Sequence, residues 1–193
     1  MSLFALDSTL FRLVNHDGAN PVFDAVMPFV TEPSNPFLYI PLIALALFAI
    51  WKWRGRAAWC IVLIALTVTI TDRLNSSVIK EMVARERPCR YMNDVRELRP
   101  CGAGKSFPSS HAVNIAAAAL IVSWFFRRSA PYAFGLAALI WYSRVYVGVH
   151  YPADVIAGAL IGMATAALVI LLWRTAMKKW KRRNKGSYEG YEL

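Results

Sequence analysis

Long apolar runs are the feature of this sequence that most restricts its fold. Two of them, 112–126 and 155–173, carry almost no polar face. A surface helix of a soluble protein keeps a polar face, whereas a helix that crosses a bilayer needs about 20 mostly apolar residues. The pattern therefore favours a membrane protein over a soluble all-helical core. Several of the five clear runs reach spanning length only with more polar flanks; they occupy 37–51, 57–71, 112–126, 132–142 and 155–173.

The runs predict an all-α fold, a polytopic membrane helix bundle of five or six spans with an N-terminal amphipathic segment. Residues 2–31 form that segment, and charged residues such as Asp7 and Arg12 interrupt its apolar pattern. A pair of interfacial helices is favoured over a sixth, short span. The stretch from Asn15 to Gly18 predicts the turn between them. We assign residues 1–176 to one membrane domain and residues 177–193 to a basic cytoplasmic tail.

The formal net charge of +10 could indicate a nucleic-acid partner, but the basic residues are placed otherwise. If the spans alternate in direction, three basic groups of the chain fall on one side, which the positive-inside rule assigns to the cytoplasm. No folded basic domain remains to bind nucleic acid, and the tail suits anionic headgroups instead. The groups are Lys52, Arg54 and Arg56; Arg127 and Arg128; and Arg174, Lys178, Lys179, Lys181, Arg182, Arg183 and Lys185.

The same topology places residues 80–110 and 146–153 on the outer side. The first of these loops is itself basic, with seven cationic residues from Lys80 to Lys105 and four acids. The positive-inside rule disfavours a basic loop on the outer side. Binding of an anionic substrate would explain why this loop is basic. Cys89 and Cys101 both lie in this loop, and either a disulfide or two free thiols fits them.

Three polar clusters interrupt the apolar pattern, and all of them fall on the outer side. They are Lys80-x6-Arg87-Pro88, Pro108-Ser109-Ser110-His111 and Ser143-Arg144-x5-His150-x3-Asp154. Phosphoryl transfer depends on positioning and on stabilisation of negative charge, and Lys80, Arg87 and Arg144 supply cations for it. Snorkelling at a helix end explains one or two of these cations, but explains Arg144 less well.

The second cluster lies where a helix is predicted to begin. Unpaired N–H groups and the positive end of the helix dipole make such a place suitable for an anion. Ser109 could equally be an ordinary N-cap. His111 favours the functional interpretation, since an ionisable residue at a membrane boundary usually serves function.

The third cluster pairs His150 with Asp154 four residues later, a spacing that puts both on one helix face. The carboxylate can accept the Nδ1–H of the imidazole and leave Nε2 free to attack. His111 is then the natural acid for the leaving group. Two histidines and an aspartate could also hold a metal, but three nearby cations would repel it, so no metal or cofactor is expected.

Together these clusters resemble the three-part signature of the type-2 phosphatidic acid phosphatase superfamily, K-x6-RP, PSGH and SR-x5-H-x3-D. The first and third parts match in full, and Ser110 replaces the usual glycine of the second. The resemblance implies a metal-independent phosphatase with His150 as the nucleophile that forms a phosphohistidine, Asp154 as its orienting group and His111 as the acid. The phosphate-binding groups that it implies are Lys80, Arg87, Ser109, Ser110 and Arg144.

Short bacterial members of that family act on lipids, so the expected partners are the membrane and a phospholipid or polyprenyl (pyro)phosphate. Undecaprenyl pyrophosphate is the first choice because the outer loop is basic; phosphatidylglycerophosphate, phosphatidate and lipid A phosphate are the alternatives. The expected location is the bacterial inner membrane, with the site facing the periplasm. The alternative classes are a soluble vanadium haloperoxidase, which the spans oppose, and a non-catalytic lipid transporter. The sequence does not indicate an oligomeric state.

Overall fold

The computed structural model describes residues 3–32 and 35–184, and every regular element within them is helical. The all-α prediction is confirmed. Eight α-helices occur in the described part of the chain, together with π-helical turns at Leu13–Asp17 and Asn75–Ile79 and a 3-10 turn at Arg127–Ser129. The α-helices are α1 (Leu3–Arg12), α2 (Pro21–Thr31), α3 (Pro36–Leu74), α4 (Lys80–Val83), α5 (Pro88–Tyr91), α6 (Ser110–Phe125), α7 (Ala130–Tyr146) and α8 (Pro152–Arg183).

Two stretches of helix are long and apolar enough to cross a bilayer, Ile40–Leu74 within α3 and Pro152–Arg183 in α8. Helix α3 contains the first two apolar runs, and its path breaks at Arg54, where φ is 36° and ψ is −115°. Side chains on its surface are largely apolar and exposed, among them Leu45 and Leu47 at 61 % and 62 %. An exposed apolar surface of this size suits lipid rather than water. Helices α6 and α7, with 16 and 17 residues, are shorter.

Helix α6 lies at the centre of the bundle and packs against α3, α7 and α8. Its buried side is rich in alanine, which allows neighbouring backbones to come close. The closest approach is to α8 at Gly158 and Gly162, spaced as in the small-residue motifs of membrane helix pairs. A Cβ on Gly162 would lie 2.1 Å from the carbonyl oxygen of Val113, and one on Gly158 would lie 2.8 Å from that of Ser109. Only glycine permits this packing, which brings the N-termini of α6 and α8 together.

The N-terminal segment forms the predicted helix pair, α1 and α2, but the turn was predicted too early. The first helix continues as a π-helical turn through Asp17, and the chain turns at Gly18. Asn15 lies buried inside the helical part, because its Nδ2 donates to the Tyr146 carbonyl at 2.7 Å and to that of Arg96 at 3.0 Å. The pair buries Asp7 and Asn15 together with the apolar Phe11 and Met27, whereas Leu10 is 41 % exposed.

The predicted outer loop, residues 80–110, is held by a disulfide and by the N-terminal helices. Cys89 and Cys101 are bonded, with their Cα atoms 6.0 Å apart, so the disulfide alternative is the one that the structure contains. Arg12 pairs with Asp94 at 2.8 Å, and the backbone N–H of Arg96 donates to Asn15 Oδ1 at 2.9 Å. The loop is therefore a fixed part of the fold.

Removal of the disulfide is expected to lower the stability of the outer loop. In the Cys89→Ser, Cys101→Ser double variant, a sequence separation of 12 corresponds to a loss of about 3 kcal/mol of unfolding free energy. Thermal unfolding in detergent, with and without reductant, measures this effect. Cys60 is buried and free, so the matched control Cys60→Ser keeps the bond. Equal melting temperatures for wild type under both conditions would contradict the expectation.

Candidate active site

The three polar clusters meet where several helices end. The His150 turn joins the C-terminus of α7 to the N-terminus of α8, and Ser109 directly precedes α6. The backbone N–H of Ser109 donates to the Asp154 carbonyl at 3.0 Å, which ties the second cluster to the third. Burial and the nearby cations Arg144, Arg87 and Lys80 all lower the pKa of His111, to about 4. The structure thus brings every predicted site residue to one place.

His150 is buried, with 2 % of its surface exposed. Its Nε2 lies 3.3 Å from an NH group of Arg87. Because a guanidinium only donates hydrogen bonds, Nε2 is the acceptor, and the ring proton is assigned to Nδ1. Burial lowers the pKa of His150 to about 3, so the imidazole is neutral at physiological pH. A neutral ring with its proton on Nδ1 is the form that can attack through Nε2.

Asp154 is fully buried beside the Nδ1 edge of that ring. Its Oδ2 is 3.6 Å from His150 Nδ1, longer than a hydrogen bond. The hydroxyl of Ser106 hydrogen-bonds to Oδ2 and lies 3.5 Å from Nδ1, between the two groups. The backbone N–H of Tyr151 also donates to Oδ2, at 2.9 Å. Several donors therefore hold the Asp154 carboxylate, and the imidazole of His150 lies just beyond hydrogen-bond distance from it.

Two buried polar atoms near the start of α6 and the end of α7 are well suited to an anion. Ser109 precedes the first turn of α6 but makes no capping hydrogen bond, and its Oγ has no partner in the described part of the structure. Ser109 therefore occupies the N-cap position of α6 without its side chain capping the helix. Arg144 donates one NH to Thr31 Oγ1, while its Nε is also without a partner among the described residues. Buried donors left in this state suit a ligand that accepts hydrogen bonds.

The hydroxyl of Ser110, the residue in place of the family's glycine, accepts a hydrogen bond from within the protein. Asn75 Nδ2 donates to Ser110 Oγ at 2.8 Å. Asn75 begins the second π-helical turn, a feature often found at functional sites. Near it, Asn114 Nδ2 donates to Asp72 at 2.8 Å between α6 and α3, so Asp72 serves as a link between helices. The extra side chain of Ser110 is bound by Asn75, and its backbone N–H stays at the start of α6.

Most of the cations in the outer loop are neutralised. Four of the seven pair with carboxylates in the described part of the chain: Arg85, Arg96, Arg99 and Lys105. The other three, Lys80, Arg87 and Arg90, donate to backbone carbonyls there; for Lys80 the acceptor is the Lys105 carbonyl at 3.1 Å. Positive charge is therefore concentrated near His150 rather than spread over the loop. In residues 3–32 and 35–184, no three His, Cys, Asp or Glu side chains are arranged to hold a metal ion.

Sequence reasoning missed three residues that contact or support the site: Arg85, Ser106 and Asp7. Arg85 binds both Asp154, at 2.8 Å, and Asp7, at 2.5 Å. The only available signal for Asp7 was a carboxylate within an apolar helical pattern, and Arg85 was indistinguishable from the other cations of its loop. Ser106 lies in a segment without regular secondary structure, so the residues next to it in the sequence do not predict its contact with Asp154.

Comparison with known proteins agrees with this geometry. The sequence pattern of the PAP2 superfamily matches residues 56–178. The lipid A 4'-phosphatase of Bacteroides thetaiotaomicron is 32 % identical over 146 residues, which cover 69 % of this chain and 64 % of that enzyme. The undecaprenyl-diphosphatase of Sulfolobus acidocaldarius is 32 % identical over 160 residues, which cover 79 % of this chain and 71 % of that enzyme.

A solved structure shows the same fold. The transmembrane PAP2-type phosphatidylglycerolphosphate phosphatase of Bacillus subtilis superposes with a TM-score of 0.69 at 25 % identity, covering 90 % of this chain and 87 % of that one. The family match covers all three polar clusters, from Lys80 to Asp154. This chain therefore belongs to the PAP2 superfamily of phosphatases, as its motifs predicted.

Proposed function

We propose that this protein is an integral-membrane lipid phosphatase that hydrolyses a phosphomonoester or diphosphate of a lipid through a phosphohistidine. The observation that carries the proposal is the state of His150. Its ring is buried and neutral, and Arg87 lies at Nε2 while Ser106 and Asp154 lie at Nδ1. The unpartnered donors of Ser109 and Arg144 add sites for phosphate oxygens. A nucleophile among anion-binding groups suits phosphoryl transfer.

In the first half-reaction, Nε2 of His150 attacks the terminal phosphorus, and the bond from that phosphorus to the leaving oxygen breaks. The leaving oxygen is the bridging oxygen of a lipid diphosphate, which departs on the lipid monophosphate, or the ester oxygen of a lipid monoester. His111, whose protonated form is stabilised by the negative charge of the bound phosphate, gives its proton to the leaving oxygen. Asp154, with Ser106, stabilises the positive charge that develops on the imidazole. The phosphate oxygens are bound by the cations Lys80, Arg87 and Arg144, by the hydroxyl of Ser109 and by the backbone at Ser110.

In the second half-reaction, water attacks the phosphohistidine. A water proton passes to His111, the water oxygen bonds to phosphorus, and the bond between Nε2 and phosphorus breaks. Inorganic phosphate leaves, and His150 and His111 return to their starting protonation states. The same residue thus serves as acid in one step and base in the next.

Undecaprenyl pyrophosphate is the proposed substrate, and undecaprenyl phosphate the product. The relative from Sulfolobus acidocaldarius that is named undecaprenyl-diphosphatase supports this choice. A diphosphate also carries more charge than a monoester, and four cations without a carboxylate partner in the described residues lie at or beside the site: Lys80, Arg87, Arg90 and Arg144.

The proposed topology has five or six spans in a bacterial inner membrane. Residues 1–176 form the membrane phosphatase domain, with the site facing the periplasm and the C-terminus in the cytoplasm. The apolar stretch of α8 supports one span. The break in α3 lies among Lys52, Arg54 and Arg56, which suits two spans joined by a cytoplasmic bend. Of the tail 177–193, residues 185–193 lie outside the described structure.

Phosphate release from a panel of lipids tests the proposal. Purified protein is incubated with undecaprenyl pyrophosphate, phosphatidylglycerophosphate, phosphatidate and a lipid A phosphate, each with and without EDTA. We expect release that EDTA does not inhibit, fastest from undecaprenyl pyrophosphate. A different ranking would replace the substrate, and no release from any lipid would contradict the lipid phosphatase and favour a non-catalytic lipid transporter.

A further inference from the structure

A chain of ion pairs runs from the N-terminal helix α1 to the site. Asp7 lies on α1, where apolar residues such as Leu6 and Leu10 are exposed, yet only 7 % of its own surface is exposed. A carboxylate that is buried in this way requires partners. Its Oδ2 accepts from Arg85 at 2.5 Å, and its Oδ1 accepts from the backbone N–H of Ala153 at 2.9 Å. Both oxygens therefore contact groups that directly adjoin Asp154.

Arg85 joins the two carboxylates. One of its NH groups binds Asp7, and the other binds Asp154 Oδ1 at 2.8 Å. Its guanidinium carbon lies 3.9 Å from the centre of the Tyr151 ring, which restricts movement of the plane. Asp7, Asp154 and the Tyr151 ring together fix the planar guanidinium of Arg85. The position of the Asp7 carboxylate therefore restricts the position of the Asp154 carboxylate.

Asp154 depends on this contact because its other oxygen is fully used. Oδ2 accepts from Ser106 and from the backbone of Tyr151, and it is the oxygen nearest to His150. Without Arg85, Oδ1 would be a buried anionic oxygen with its ion pair lost, and the carboxylate would turn to find another donor. Rotation would move Oδ2 away from the Nδ1 edge of His150 and from the Ser106 hydroxyl that lies between the two groups.

We propose that α1 belongs to the catalytic apparatus: Asp7, acting through Arg85, positions the carboxylate of Asp154 on which His150 depends. This inference rests on the proposed function. Neither Asp7 nor Arg85 binds the phosphate, so both are positioning residues. Their loss slows the chemical step and leaves substrate binding unchanged.

The test compares Asp7→Asn and Arg85→Met with a control on the same helix. Arg12 also ties α1 to the outer loop, through Asp94 at 2.8 Å, but it does not contact Asp154. We expect Asp7→Asn and Arg85→Met to lower kcat by about 10–100-fold, the range typical of residues that orient a functional ligand, with KM changed less than about twofold. Arg12→Gln should keep kcat. Arg85→Lys should recover part of the activity, and the Asp7→Asn, Arg85→Met double variant should be no slower than Arg85→Met alone.

Binding of orthovanadate gives a second readout that needs no turnover. Vanadate bonded to His150 Nε2 resembles the transferred phosphoryl group, so its affinity, measured by thermal shift, should fall about tenfold in Arg85→Met and stay unchanged in Arg12→Gln. Wild-type kcat and vanadate affinity in Arg85→Met would overturn the inference while the proposed function stands. A wild type that releases phosphate from no lipid, with vanadate affinity still lowered by Arg85→Met, would reject the function and keep the positioning role. If the wild type neither turns over lipid nor binds vanadate, both are rejected.

Discussion

His150→Ala is expected to lower lipid phosphate release by about 10⁴-fold or more, because loss of a nucleophile removes the covalent route. The protein should remain folded. His150 lies in a turn outside the helices, and Arg87 keeps its hydrogen bond to the Val149 carbonyl at 3.2 Å. The measurement is single-turnover phosphate release, with gel filtration in detergent to show that the variant is intact.

The chain has three histidines, so a complete control set is available. His16 is exposed and contacts the backbone carbonyl of Asp94, and His16→Ala should retain wild-type turnover. His111→Ala should be slow on lipids but recover with a leaving group of low pKa, which needs no acid. Trapped phosphohistidine in wild type and its absence in His150→Ala would complete the assignment. Turnover retained by intact His150→Ala would exclude this residue as the nucleophile.

Gly162→Ala should damage both stability and activity. The added Cβ would lie 2.1 Å from the Val113 carbonyl oxygen and 2.9 Å from the carbonyl carbon, so the backbone of α6 must move. Overpacking of this kind typically destabilises by about 1–3 kcal/mol. Since the same movement shifts Ser109 and His111 relative to His150, kcat/KM should fall by about 10²-fold, the effect of a misplacement of about 1 Å.

Gly135→Ala provides the matched control. Gly135 lies within α7, and a Cβ there has nothing within 4 Å in the described structure. Alanine in a helix interior is favoured over glycine by about 0.5–1 kcal/mol, so this variant should melt at or above the wild-type temperature. Thermal unfolding and lipid turnover are measured on both variants. Equal melting temperatures and equal turnover of Gly162→Ala and Gly135→Ala would show that α6 and α8 are not packed as closely as the structure has them.

The sequence predicted the helical class and the residues that meet at the site, because both have local signatures. Apolar runs reveal helices, and a histidine four residues before an aspartate predicts a shared helix face. The sequence did not predict the roles of Arg85 and Asp7, because these roles depend on contacts between residues that are distant in the chain. Arg85 and Asp7 are 78 positions apart, and nothing beside either residue identifies its partner.

Finer geometry was likewise beyond the sequence. A direct hydrogen bond between His150 and Asp154 was expected, whereas the hydroxyl of Ser106 lies between them. Gly158 and Gly162 were visible as small residues in an apolar run, but their role depends on which helix lies opposite. The turn after α1 was placed too early because the helix widens into a π-helical turn that Asn15 stabilises from inside.

Helix α8 joins the proposed nucleophile turn to a cluster of cations by a single rigid rod. At 1.5 Å per residue, its 32 residues extend about 48 Å, against about 30 Å for the hydrocarbon of a bilayer. In the proposed topology, Lys181, Arg182 and Arg183 lie on the cytoplasmic side, and His150 would then lie at the headgroup level of the opposite leaflet. The proposed enzyme would therefore reach only lipids in that leaflet, and a lipid made in the other leaflet would first have to be flipped.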